Sequence, residues 1–458
     1  MLNATTKTYI YKAVKLLPVK LRQRMARLLE NIENSYEPAL ELQVNKHINN
    51  AILNASRGDY ETAERELTDA LTIAPNNNTL IAPHLGRVRF LKLRSTDASA
   101  KIDTQGMLAT INSMNEEIAS KPIYLAGKFW ETFGRLHLQF LEKYGVENFK
   151  RTISHHYQNW FMCFLDDAQY VQLIKLLPTH LSVDPWLNHI EILDHVGFHG
   201  TANYDDAFQN PTYPLASRKE SEIYKVAVGL LWEYVKATDT FGITNQLAES
   251  EVGNPIRIWR KGKLISSDLA HSIRERNIFL KALSLSGNEG LVIGELGAGS
   301  GRLVEVFGRT TNYRHFIFDI TPALFVSQWY IKTLFPNEKI FEFRHFDDFN
   351  EICDELQDCR FAFFTSNQIE KLPDDYINLF INLNSLAEMR SEQIKNFLNQ
   401  IDRLTTSAFL SRQQINSINP MELIPLTKAD FAMHERWKLI LDTEDEIYPM
   451  FFNQIWKR

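Results

Sequence analysis

The run LVIGELGAGSGRLVEVFG, Leu291 to Gly308, decides how this chain is read. It opens as an apolar strand and closes as the start of an amphipathic helix, with Gly297, Gly299 and Gly301 at alternate positions between them. Such a turn needs either positive φ or bare backbone against which something lies closely, and glycine permits both. In an open α/β sheet, ligands bind at the carboxyl ends of the strands, where the chain turns into the following helix. Glu295, two residues before Gly297, puts a carboxylate at that edge.

Beyond residue 290, short apolar runs alternate with amphipathic ones. Strands are expected at 291–295, 314–319, 339–344, 360–365, 378–384, 407–411, 437–442 and 450–456, with helices between most of them. That rhythm predicts a parallel sheet covered by helices on both faces. The last two strands have no room for a helix between them and are expected to form an antiparallel pair at one edge. Strand 378–384 should lie beside the first strand, across the switch point.

Before residue 250 the pattern is helical. In NASRGDYETAERELTDALTIAPNN, the residues Gly58, Tyr60, Ala63, Ala70, Ala74 and Pro75 fall at the spacing of half a tetratricopeptide unit. One copy cannot bury a continuous core, so a helical hairpin within a larger helical region is expected, a surface for a protein partner or for self-association. From about Lys101 to Leu247 the chain is helical and aromatic, as in FWETFGRLHLQFLEKYG. The loop HVGFHGTANYDDAFQNPTYPLAS interrupts it, and its length suggests a lid. His195 and His199 in that loop are read as loop residues ahead of a metal pair. The expected domains are 1–100, helical with the hairpin; 101–250, helical with the lid; and 251–458, the α/β domain.

The chain has 458 residues, 44% hydrophobic and 23% charged, with a formal net charge of −6. That is the composition of a globular protein with ample core, and it lacks the basic surplus of a nucleic-acid binder. Cys163, Cys353 and Cys359 suit neither a zinc site nor a disulfide framework, which points to a reducing, cytoplasmic compartment. Residues 1–29 hold seven basic side chains and no acidic one, interleaved with apolar residues. The lysines break the apolar segment, so a signal peptide is not expected. Two readings remain: a solvated helix packed on the next one, and a basic amphipathic helix in peripheral contact with an anionic inner membrane face.

Three ligand classes compete for the glycine turn. A phosphate-cradling P-loop requires Gly-Lys-Ser/Thr, and Gly301-Arg302-Leu303 is not that. A dinucleotide fold, hence a nicotinamide dehydrogenase, wants G-x-G-x-x-G, and Glu295 would repel a pyrophosphate. The third is S-adenosylmethionine, whose amino-acid end and cationic sulfonium suit a carboxylate beside bare backbone. RHFIFDITP reads as the second strand ending in Asp319, placed to accept hydrogen bonds from both ribose hydroxyls, with a helix cap before Thr321-Pro322 as the plainer reading.

Glu295, Gly297, Gly299 and Gly301 resemble the first motif of the class I methyltransferases, E-x-G-x-G-x-G. Further stretches, GVENFKRTISHHYQNW, GNPIRIWRKGKLISSDLAHSIRERN and LFINLNSLAEM, resemble a family of sugar O-methyltransferases associated with bacterial polysaccharide synthesis. The likeness spans roughly residues 120 to 458. It implies a Rossmann-like class I methyltransferase sheet preceded by an all-α region, S-adenosylmethionine as cofactor, and a sugar hydroxyl of a nucleotide sugar or glycan intermediate as acceptor.

On that reading Glu295, Gly297, Ala298, Gly299, Gly301 and Asp319 hold the cofactor. Ser366 and Asn367 meet its adenine, and Asn384 completes the site. A sugar hydroxyl needs a base, and the candidates are Glu388, His345, Asp347 or Asp348, and His434. Against Glu388 stands a capping box with Ser385. Asp347 and Asp348 are read as a cap ahead of metal ligands. Asp268, Ser272, Arg274 and Ser385 are the candidate substrate contacts, with Ser267 or Asp268 as a helix N-cap and Arg274 on a solvated face as the plainer alternatives. Two rivals remain: a non-sugar oxygen or nitrogen acceptor, and a helical adaptor carrying a catalytically idle module.

Overall fold

The computed structural model describes residues 42–55, 57, 59–74 and isolated positions between 40 and 88. It then describes 104–153, 190–192, 218–255, 258–260, 263–418, 425–448 and 451–458. The basic segment 1–29, His195, His199, residues 193–217 of the expected lid loop and Cys163 lie outside the described residues. Two compact units are present, 1–96 and 97–458.

In the first unit, residues 42–55 and α1 (Tyr60–Ile73) are helical. Ala51, Ala63 and Ala70 pack with Val44, Ile48 and Leu67 in one apolar cluster, because small side chains let two helix backbones approach. The Asp59 carboxylate caps α1 by accepting from the Thr62 N–H at 3.1 Å.

The second unit is a Rossmann-like α/β fold. Its helices are α2 (Thr104–Ala119), α3 (Lys128–Tyr144), α4 (Arg218–Thr238), α5 (Ser267–Ala282), α6 (Arg302–Thr310), α7 (Ala323–Leu334) and α8 (Ser391–Leu404). Its sheet has eight strands: β1 (Val292–Leu296), β2 (Arg314–Asp319), β3 (Ile340–Phe341), β4 (Phe361–Thr365), β5 (Ile377–Leu383), β6 (Thr405–Gln414), β7 (Lys438–Glu444) and β8 (Phe451–Lys457). The spatial order is β7-β8-β6-β5-β1-β2-β4-β3. The six neighbouring strands β6, β5, β1, β2, β4 and β3 pair in parallel, while β8 runs antiparallel to both β6 and β7.

Every residue of β1 and β4 is buried. That is why these strands read as near-continuous apolar runs, with Glu295 the charged exception: a parallel strand is covered on both faces. Alternation along β2 sends Phe316 and Phe318 into a cluster with Phe364, Phe380 and Phe397, while Ile317 faces α3 and α7 among Phe133, Leu324 and Val326. On the α5–α6 side, Phe279, Leu303 and Phe307 pack on Ile293, Leu379 and Ile381. α2 and α3 thus share the apolar core of the sheet.

Three details depart from expectation. The strand expected over 339–344 shrinks to Ile340–Phe341, since the following segment turns away at the sheet edge. A three-stranded antiparallel sheet of Ile190–Ile192, Ile258–Arg260 and Lys263–Ile265 precedes α5. The N-cap of α5 is Ser266, whose hydroxyl accepts from the Leu269 N–H at 3.0 Å, rather than Ser267 or Asp268. No described helix is long and apolar enough to cross a membrane.

Candidate functional site

β1 ends at Leu296, and Gly297, Gly299 and Gly301 follow with φ of +72°, +58° and +81°. Gly297 is doubly constrained. Its φ is left-handed, and a Cβ there would drive into the Ser385 side chain arriving from the end of β5. Ser385 is fixed in turn: its hydroxyl donates to the Leu296 carbonyl at 3.1 Å and accepts from Asn382 Nδ2 at 2.5 Å. The switch point between β1 and β5 is therefore closed by side chains, leaving a bare main-chain ledge above it.

A cleft opens over this ledge, enclosing about 1030 Å³ with its mouth included. Glu295, Gly297, Ala298, Gly299, Asp319, Ser366, Asn384, Ser385 and Glu388 all line it. Residues from four strand ends, spread over nearly a hundred positions, thus converge on one cavity.

Glu295 is 3% exposed, and its Oε2 has no hydrogen-bond partner among the described residues. Burial pushes its carboxyl up to about 8; the Arg302 guanidinium opposes this, and the Glu275 and Asp319 charges add to it. The Asp319 carboxylate accepts from the Gly299 N–H at 2.8 Å and from the Ile320 N–H at 2.7 Å. These bonds tie the loop to the end of β2, and burial still raises Asp319 to about 7. Pro322, not Asp319, caps α7. Ser366 Oγ and Asn384 Oδ1 are also buried without partners among the described residues.

Glu388 faces the cleft while protein encloses it on its other sides. Burial pushes it up to about 8; a hydrogen bond from Trp130 Nε1 to its Oε2, 2.6 Å long, opposes that, and the Asp319 charge adds to it. The capping box expected with Ser385 does not form. The segment is a short 3-10 turn, Ser385–Glu388, with Asn384 at its N-cap in left-handed conformation (φ +69°) and no side-chain cap. Glu388 thus lines the cleft without capping the turn, while Ser385 stays tied to Leu296 and Asn382.

The remaining candidates are elsewhere. Gly301 caps α6 from behind the ledge, where a Cβ would press on the Ser327 side chain. Asn367 does not line the cleft; its amide donates to the Glu117 carbonyl at 2.9 Å and to Glu117 Oε1 at 3.1 Å, docking α2. His345 bonds Glu117 Oε2 at 2.5 Å and Ser113 Oγ at 2.8 Å, outside the cleft. His434 is an exposed partner of Asn399 at 3.0 Å, also outside it. Neither histidine is placed to act as base on a group held in the cleft.

Asp348 caps the turn Phe349–Glu351. Arg274 is on no solvated face. It is buried against Asp445 at 2.6 Å, with Arg412 at 3.3 Å from the same carboxylate. Asp268 sits in the first turn of α5, away from the cleft. Ser272 acts indirectly: its Oγ, with Glu275 Oε2, receives Arg302 Nη1 at 2.8 and 2.7 Å, holding that guanidinium at the cleft wall.

Sequence reasoning missed the roof. Tyr124, Leu125, Trp130 and His137, all from the helical segment ahead of the sheet, line the cleft with Gln393 and Phe397 of α8. Gln393 Nε2 donates to the carbonyls of Ile123 and Leu125, each at 2.8 Å, and so straps that segment over the opening. The aromatic density of FWETFGRLHLQF was the available signal, but it marks a buried helix equally well.

No family model matches the chain, and no curated protein matches it. Solved structures similar to it include a SAM-dependent methyltransferase from Aquifex aeolicus (11% identity, 40% of this chain and 88% of that one, TM-score 0.26). Magnesium protoporphyrin IX methyltransferase from Synechocystis with bound SAM is another (10% identity, 42% and 82%, TM-score 0.29). A third is an S-adenosylmethionine-dependent methyltransferase from Mesorhizobium loti (12% identity, 40% and 98%, TM-score 0.27).

Proposed function

We propose that this chain is an S-adenosylmethionine-dependent methyltransferase that methylates a hydroxyl group, with a sugar hydroxyl as acceptor. The observation that carries the reading is the bare ledge at Gly297–Gly299, flanked by the buried carboxyls of Glu295 and Asp319 and facing Glu388 across one cleft.

The residues suit the cofactor. Glu295 Oε2, Ser366 Oγ and Asn384 Oδ1 are buried acceptors or donors lacking partners among the described residues. Each such group costs roughly 1–3 kcal/mol, which a polar ligand would recover. A Cβ at Gly297 would close the ledge. Glu295 would receive the ammonium, Asp319 the ribose hydroxyls, and Ser366 the adenine. Asp319 retains acceptor capacity for this, since a carboxylate has about four lone-pair sites and the two backbone N–H groups use two. Asn367 supports the adenine wall from behind.

When bound, S-adenosylmethionine supplies a methyl carbon on a positively charged sulfur, which departs as a neutral thioether as the new O–C bond forms. The protein's part is to align the acceptor oxygen and remove its proton. Glu388 is the base: it is in the cleft, and its ionised form, which grows as pH rises toward a pKa of about 8, accepts the proton. Tyr124, Trp130 and Phe397 offer flat apolar surface for the C–H face of a sugar ring. Leu125 and Met389 beside them favour a second reading, a non-sugar alcohol.

Incubation with methyl-labelled cofactor and a panel of nucleotide sugars, glycans and simple alcohols, read by mass, tests this. One added methyl on a sugar supports the first reading and one on an alcohol the second. Absence of cofactor binding by calorimetry would leave the idle adaptor.

A further inference from the structure

We propose that Trp130 is a positioning residue for methyl transfer, its indole N–H holding the Glu388 carboxylate at the acceptor side of the cleft. The inference rests on the assignment of Glu388 as base and goes beyond it, because it gives the helical segment ahead of the sheet a part in the chemistry.

Trp130 is on α3, separated from Glu388 by 258 positions, yet its Nε1 lies 2.6 Å from Glu388 Oε2. The indole is itself held. Its ring centroid is 5.3 Å from Phe129, 6.1 Å from Phe133 and 6.1 Å from His137, three side chains of the same helix that are buried. Glu388 is held from the other side by its turn. The Asn384 N–H donates to the Arg412 carbonyl at 2.7 Å, and the Ala387 N–H to the Asn384 carbonyl at 3.2 Å. A rigid donor thus meets a carboxylate on a pinned turn.

The chemistry of the pair is directional. An indole N–H donates and cannot accept, so it cannot take the proton that Glu388 is to receive. It stabilises the ionised carboxylate and fixes the plane of the group. A hydroxyl donor such as tyrosine would be able to exchange its proton with the base; an indole is not. The neighbouring cleft residues Leu125, Met389 and Phe397 are apolar.

The test needs no known acceptor. The full chain is labelled with glutamate carrying ¹³C at Cδ, and the Glu388 signal is assigned as the resonance lost in Glu388→Gln. Its titration is then compared between the natural protein, Trp130→Phe, and a protein carrying benzothienylalanine at position 130. That isostere keeps the ring and its packing and removes only the N–H, so it serves if the phenylalanine variant folds poorly. Loss of a charge-assisted donor should move the midpoint upward by about one pH unit or more, with cofactor affinity by calorimetry unchanged. A midpoint that stays put or moves down in the isostere overturns the positioning role and leaves the base assignment standing. Wild-type turnover by Glu388→Gln on any acceptor found would remove the base, and the positioning role with it.

Discussion

Adding S-adenosylmethionine to this protein at pH 7 should expel protons. In the ligand-free cleft Glu295 has a pKa of about 8 and Asp319 of about 7. At pH 7 an acid of pKa 8 is roughly 90% protonated and one of pKa 7 half protonated, so the pair holds about 1.4 protons. An ammonium and a sulfonium beside Glu295, and ribose hydroxyls on Asp319, favour the ionised forms. About one proton or a little more should therefore leave on binding. Deprotonating Glu295 one unit below its pKa costs about 1.4 kcal/mol of affinity. With both carboxyls ionised in the complex, affinity should accordingly rise by more than tenfold per unit between about pH 6 and 7.5 and flatten above 8. Titration calorimetry at pH 7 in buffers of low and high ionisation enthalpy reads the proton count as the slope of heat against buffer enthalpy. Glu295→Gln should lower that slope by nearly one proton. A cofactor that binds with heat independent of the buffer would refute the reasoning, as would an unchanged slope in Glu295→Gln.

The same raised carboxyls destabilise the ligand-free fold as pH rises. Their folded-state pKa exceeds the unfolded one, so their contribution is full below the ordinary carboxylate range and is lost as pH climbs toward 8. The melting temperature should fall between about pH 5.5 and 8, and saturating cofactor should restore it. Gly297→Ala places a methyl against Ser385 at left-handed φ; it should weaken cofactor binding at least tenfold and destabilise by roughly 1–3 kcal/mol, read by calorimetry and denaturant unfolding. Asp445→Asn strips the charge that pairs buried Arg274 and Arg412 and should cost about 3–5 kcal/mol in denaturant unfolding. Deleting residues 1–29 should release the protein from anionic vesicles in a flotation assay, and unchanged vesicle binding would exclude membrane contact by that segment.

The sheet was legible because its cause is local. A strand covered on both faces is apolar at most positions, so VIGEL, FAFFT and INLFINL announce themselves, with polar residues such as Glu295 and Asn382 toward their carboxyl ends. The glycine ledge was legible for the same reason, since left-handed backbone selects its residue in place. Glu295 and Asp319 followed from their positions at strand ends. By contrast, His345 and His434 looked like catalytic groups because a histidine near a strand end carries no mark of the direction it faces. Burial of Arg274 against Asp445, 171 positions away, was equally invisible, because a charged residue on a helix reads as solvated until its partner is known.

By itself, then, the sequence determined a doubly covered sheet, the ledge at its switch point, and the carboxylates beside it. Only the tertiary structure decided which of the candidate side chains faces the cleft and what roofs it, by bringing Trp130, Tyr124 and Leu125 to the same cleft as Glu388. The physical reason is reach. Backbone conformation and strand burial are dictated by a residue and its near neighbours, whereas a hydrogen bond such as Trp130 to Glu388 exists only once the whole chain has packed.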